Sequence, residues 1–241
     1  MRSVAALREW DMKRVLQFVF LVCLFGLLCV GAQAQNSQDE WSPEIDTYVQ
    51  LNSYMRLMFV TSRSTDGSTY DSFQFGPNLD ITFKPILRNR VRSNDSSKQQ
   101  YVTFRVGYQY LDNVGKPNEN RVVLQLTPRV PLPWSLLLSD RNRADLRVIS
   151  GSFSWRYRNR LTLERTFKIK SVWLTPYAQG EIFYDSRYAT WTRNSYEFGV
   201  TFPVRRRIEL APYYQRENDS RSSPPHTNIV GLTMSLYFRN N

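Results

Sequence analysis

The stretch Ser152–Glu164 constrains the fold more than any other segment of the chain. Phe153, Trp155, Tyr157, Leu161 and Leu163 share one parity; Ser154, Arg156, Arg158, Arg160 and Thr162 share the other. Successive side chains of a strand point to opposite faces. Read as a strand, the segment has one greasy, aromatic face and one face that is a ladder of arginines. Unpaired charge is too costly for a dry core. The ladder therefore faces bulk water or lines a wet lumen, and the architecture depends on which.

The same alternation recurs along the chain and predicts ten strands, at 46–60, 72–87, 100–111, 120–129, 134–148, 152–164, 172–184, 190–202, 207–216 and 227–238. In the second, Phe73, Phe75, Leu79 and Ile81 oppose Gln74, Asn78 and Asp80. In the third, Val102, Phe104, Val106 and Tyr108 oppose Thr103, Arg105 and Gln109. In the eighth, Tyr196, Phe198 and Val200 oppose Arg193, Ser195, Glu197 and Thr201. No amphipathic helix interrupts them. Segments such as Asp112–Glu119 and Glu217–His226 are rich in turn residues. Arg88–Gln99 is long and charged for a turn and leaves room for a small detour.

The first residues read as an export signal. Lys13 and Arg14 precede the apolar run Phe18–Val30, followed by Ala32-Gln33-Ala34. A basic region, an apolar region and an A-x-A site predict cleavage after Ala34. The run is shorter than the roughly 20 residues a spanning helix needs. Glu9 and Asp11 are unusual in such a basic region and point to Met12 as the translation start. Cys23 and Cys29 both lie in this segment, so the rest of the chain has no thiol for a disulfide or a metal site. Residues 35–45 read as a polar lead and 46–241 as the folded domain. Residues 1–34 carry a net +2, which leaves +9 of the formal +11 to the remainder. Such charge favours an anionic partner or surface, and export argues against nucleic acid.

Alternation alone does not say which face is inside. Four features favour a membrane barrel over a soluble one: the export signal, strands of spanning length without covering helices, aromatics near strand ends, and arginine ladders. The aromatics are Trp134, Trp155, Trp173, Trp191, Tyr184 and Tyr237. The expected fold is an all-β, antiparallel up-and-down transmembrane barrel of about ten strands, with eight or twelve as the neighbouring even counts. The expected place is the bacterial outer membrane, with lipid, lipopolysaccharide and the barrel-assembly machinery as partners. With both ends of the barrel on the periplasmic side, Arg205-Arg206-Arg207 forms a periplasmic turn, read as solvated, with contact to anionic headgroups as the alternative.

The inward parity then predicts a lumen charge network of Arg141, Arg143, Asp145 and Arg147, with Arg156, Arg158 and Arg160 beside them. Glu181, Asp185, Arg193, Glu197, Arg207 and Glu209 complete it. Arginine's rigid fork pairs bidentately with carboxylates. A barrel this narrow is mostly filled by its side chains. A structural or surface-interaction protein is the first reading and a narrow anion-selective channel the second, because arginine rings favour anions. A lipid hydrolase is third: the only histidine, His226, follows Ser222 and Ser223, with Asp219 nearby. No cofactor motif or metal-ligand spacing is present, and the chain is read as non-enzymatic.

Leu138-Ser139-Asp140-Arg141-Asn142-Arg143 and Trp155-Arg156-Tyr157-Arg158-Asn159-Arg160-Leu161 carry a family resemblance. Pro176-Tyr177, Glu181-Ile182-Phe183-Tyr184-Asp185 and Pro212-Tyr213-Tyr214 add to it. The chain resembles the domain of unknown function 2490 family of exported bacterial β-barrel proteins. The resemblance implies location and fold; it carries no activity, substrate or catalytic residue. The last aromatic, Phe238, is followed by Arg239-Asn240-Asn241, unlike barrels that end on the aromatic read by the assembly machinery.

Overall fold

The structure is a computed structural model that describes residues 37–66, 69–83, 93–170 and 172–239. The expected signal at 1–34 lies outside these residues, as do 84–87, the end of the expected second strand, and 88–92 of the connection after it. Twelve strands are present among the described residues: β1 Ser37–Gln50, β2 Met55–Asp66, β3 Thr69–Thr82, β4 Val102–Asn113, β5 Glu119–Leu132 and β6 Leu136–Ile149. They continue as β7 Ser152–Arg165, β8 Phe167–Ile169, β9 Val172–Asp185, β10 Thr190–Arg205, β11 Ile208–Asp219 and β12 His226–Arg239. The short β8 folds back only onto β9. The other eleven pair in chain order, with β7 beside β9, and β12 meets β1 to close the barrel.

Eleven is odd, against the expected even count, and this has a geometric consequence. In an antiparallel meander of eleven, the first and last strands run the same way. Asn228 Nδ2 donates to Asp39 Oδ1 at 2.9 Å, and nine residues further along both strands Tyr237 stacks on Tyr48 with 5.0 Å between centroids. The closing pair is therefore parallel. β1 starts at one rim and β12 ends at the other, so the two ends of the barrel do not share a side as expected. The turn at Arg206 and Arg207 lies at the rim where β12 ends.

The expected polar lead at 35–45 is a strand from Ser37 onward, and the expected strand 46–60 is two strands joined by a tight turn. Asn52 makes that turn: its Oδ1 accepts from the backbone N–H of Tyr54 at 2.8 Å and of Met55 at 2.9 Å. Such local side-chain caps replace the Gly or Pro that usually marks a turn. At the β6–β7 hairpin the signal is the usual one. Ser150 and Gly151 both take positive φ, +49° and +77°, as a two-residue hairpin of matching twist requires.

One parity faces outward throughout. Ile45, Leu124, Leu126, Leu161, Ile182, Phe198 and Val230 are exposed there, with Trp41, Phe153 and Trp191 toward one rim and Phe83, Trp134 and Phe238 toward the other. Tyr237, expected among these outward aromatics, instead points inward and is buried with Tyr48, Met58 and Val60. The outward wall carries a polar island on β6 and β7: Asp140 accepts from Asn159 at 2.6 Å and Asn142 at 3.0 Å, and the Tyr157 hydroxyl donates to Asn142.

Two inward tyrosines lie flat over glycines of the next strand, Tyr177 over Gly199 and Tyr213 over Gly231. A Cβ at either glycine would run into the ring. Gly231→Ala is expected to push Tyr213 out of place, cost about 1–3 kcal/mol as overpacking does, and break the bond from its hydroxyl to the Ser42 carbonyl. Urea unfolding of the variant checks this; an unchanged midpoint would contradict the flat packing.

Candidate functional site: a two-sided charged lumen

Antiparallel register across the Ser150-Gly151 hairpin sets Arg143 opposite Arg158 and Arg141 opposite Arg160. Like charges directly opposite repel, so the pairing needs carboxylates. Glu181 on β9 supplies most of what is needed. Its carboxylate, 2% exposed, takes Arg141 at 2.7 Å, Arg158 at 2.9 Å and Arg160 at 2.6 Å. Asp145 takes Arg143 at 2.6 Å. Four arginines on this wall thus share two carboxylates.

Nearer the rim where β1 starts, Asp185 gathers Arg147 at 2.8 Å, Arg187 at 3.0 Å and Arg156 at 3.2 Å. Arg121 pairs with Glu119 at 2.7 Å. Arg193 goes to Asp219 at 2.6 Å and Glu217 at 2.9 Å, and to neither Glu181 nor Asp185. Glu197 is buried and accepts from the Tyr177 hydroxyl at 2.8 Å. Arg207 stands apart from the others. It sits exposed in the β10–β11 turn, because the strand pairing ends before it and its side chain has no inward position.

Sequence parity marked only the 141–209 half of this network. The other half comes from β1 to β5. Asp80, fully buried, takes Arg56 at 2.8 Å and Arg105 at 2.5 Å. Asp80 and Arg105 already stood on the polar parity of their strands and followed from the same rule. Glu44 was hidden inside the supposed lead, and Asp46 stood at the very start of the expected strand 46–60.

A strap covers the rim where β12 ends. Residues 93–100, which precede β4 and include the short 3-10 turn Ser96–Gln99, run across the mouth. Asp95 binds Arg56 of β2 at 2.5 Å, and Lys98 binds Glu164 of β7 at 2.5 Å. Ser93 Oγ donates to Glu209 of β11 at 3.0 Å, and Ser96 to Gln50 of β1 at 3.2 Å. Arg239 of β12 donates to the Asn94 carbonyl at 2.9 Å. Burial pushes the Asp95 carboxyl up, but Arg56, Arg129 and Lys98 outweigh it and hold the group well below its ordinary 3.8. Burial likewise lowers Lys98, and Glu164 more than reverses this, so the ammonium persists above its ordinary 10.5.

Between the strap and the far rim lies a cavity of about 450 Å³. It is lined on one side by Arg141, Arg143, Arg158 and Arg160, and on another by Glu44, Asp46 and Glu197. Among the described residues no set of three or more His, Cys, Asp or Glu is placed to hold a metal ion. The side chains of the serines, histidine and acid considered for hydrolysis are not bonded to one another; the histidine and the acid bond elsewhere. His226 Nδ1 bonds Asn218 at 2.8 Å, while Asp219 is taken by Arg193.

A family model described as protein of unknown function, DUF2490, matches residues 95–228. The match runs from the strap to the start of β12 and contains both arginine ladders and Glu181. A search of curated proteins found no match.

Proposed function

Because the chain belongs to the DUF2490 family, which has no assigned activity, we propose its function from its own wall and lumen: it is a bacterial outer-membrane barrel, closed at rest. It is exported by a signal cleaved after Ala34 and acts as a structural or surface-interaction protein, without catalysis. The observation that carries this reading is the sorting of faces. The exposed wall is mainly apolar with aromatics toward both rims, while most of the charges turn inward. That is the inverse of a soluble barrel and matches what a bilayer requires of a spanning sheet. Lipid and lipopolysaccharide would cover the wall, and the barrel-assembly machinery would insert it.

The strap favours a closed state over an open pore. An anion-selective channel has less support, because the arginines face carboxylates across the lumen. In the outer-membrane fraction the protein is expected to migrate faster on gels before boiling than after. Recovery in the soluble periplasm with no mobility difference would overturn the location.

A further inference from the structure

We propose that the central cavity is a binding site for a small zwitterion of amino-acid to dipeptide size, carboxylate toward β6 and β7 and ammonium toward β1. The inference deepens the closed-barrel reading and rests on it for the direction of access alone.

The strand order makes the argument. In a ring of eleven, β1 lies five strands from β6 by one route and five from β7 by the other. The β6–β7 hairpin and β1 are therefore diametrically opposed. The hairpin carries Arg141, Arg143, Arg158 and Arg160 on its inward face, and their two carboxylates leave an excess of two positive charges. β1 carries Glu44 and Asp46, and neither has an ion pair among the described residues. The charges are thus separated across the cavity instead of cancelling locally, and the lumen has a transverse field.

A second observation points the same way. On the acidic wall, Asp46 is 7% exposed, and its Oδ1 has no hydrogen-bond partner in the protein. On the basic wall, the Nε of Arg141 is buried without one. Both residues line the same cavity. A buried polar atom is ordinarily paired; here Asp46 Oδ1 and Arg141 Nε stand unpaired on opposite walls, with Gln125 Oε1 of β5 a further unpaired acceptor. A lone anion would satisfy the arginines and meet repulsion from the acids; a lone cation would meet the reverse. A molecule carrying both charges satisfies both walls, and about 450 Å³ is of the size that holds small solutes.

The test uses three probes of nearly one size on the folded full chain in detergent: glycylglycine, N-acetylglycine (anion only) and glycylglycinamide (cation only). Saturation-transfer NMR is expected to show glycylglycine binding at least tenfold tighter than either capped form. Asp46→Asn should abolish the preference over the acetylated anion, and Arg141→Gln the preference over the amide. Heat-modifiable migration shows that each variant folds. Equal binding of either capped probe, or no binding of glycylglycine, overturns the site. A soluble barrel that binds glycylglycine keeps the site and sinks the location; a membrane barrel that does not bind it does the opposite.

Discussion

Glu181→Ala is expected to lower the unfolding free energy by about 3–5 kcal/mol, the usual cost of removing one partner from a buried charge cluster. The reason is the division of charge on the β6–β7 wall. Arg141, Arg158 and Arg160 all close on this one carboxylate. Without it, Arg141 faces Arg160, and Arg143 faces Arg158, with only Asp145 between four guanidinium groups. Urea unfolding of the folded barrel measures the loss. Arg187→Ala is the comparison. It breaks a pair with Asp185 in which the arginine is 39% exposed, and screening by water limits such pairs to about 0–1 kcal/mol. Arg160→Leu added to Glu181→Ala should recover part of the loss, since the two residues share one interaction. A Glu181→Ala cost below about 1 kcal/mol would mean that water already solvates the ladder, against the buried-pair magnitude.

That the ladder points inward was legible in the alternation of Ser152–Glu164, because strand parity is a local property and β7 is regular from end to end. What the sequence obscured has specific physical causes. The turn after β1 is made by the Asn52 side chain, without Gly or Pro, so one apolar alternation seemed to run through two strands. Merging them concealed the eleventh strand and, with it, the parallel closure. Reading 35–45 as a lead took Glu44 out of the lumen, and Asp46 at the start of the merged strand went unmarked, which left the arginines to look like an anion filter. Tyr237 shows the limit of composition. An aromatic near a strand end suits a rim and an inward stack equally well, and only the partner strand, here Tyr48 of β1, decides. The strap had no signal beyond its charge, since its contacts reach strands distant in the chain.

With the strap in place, the cavity is expected to be shielded from reagents at that rim, and a variant that frees the strap should expose it by a factor of at least ten. Asp95→Asn with Lys98→Gln removes both ion pairs that tie the strap to β2 and β7 while keeping side-chain size. Each 1.4 kcal/mol lost shifts the open fraction about tenfold, and two buried charged contacts at roughly 1.5–3 kcal/mol apiece exceed that. With Cys23 and Cys29 changed to serine, Ala211→Cys leaves one thiol, at the cavity wall. Its rate of alkylation by a charged thiol reagent is the readout. The pH dependence follows from the two ties. Asp95 is depressed, so its contribution is present above 3.8 and is lost as pH falls through its lower folded value. Lys98 is raised, so its contribution is present below 10.5 and is lost as pH rises through its higher folded value. Around neutral pH protection of the cavity thiol should be flat in the parent chain, once the rate is corrected for the thiol's own ionisation. Rapid labelling of the parent at neutral pH would show instead that the strap does not close this rim.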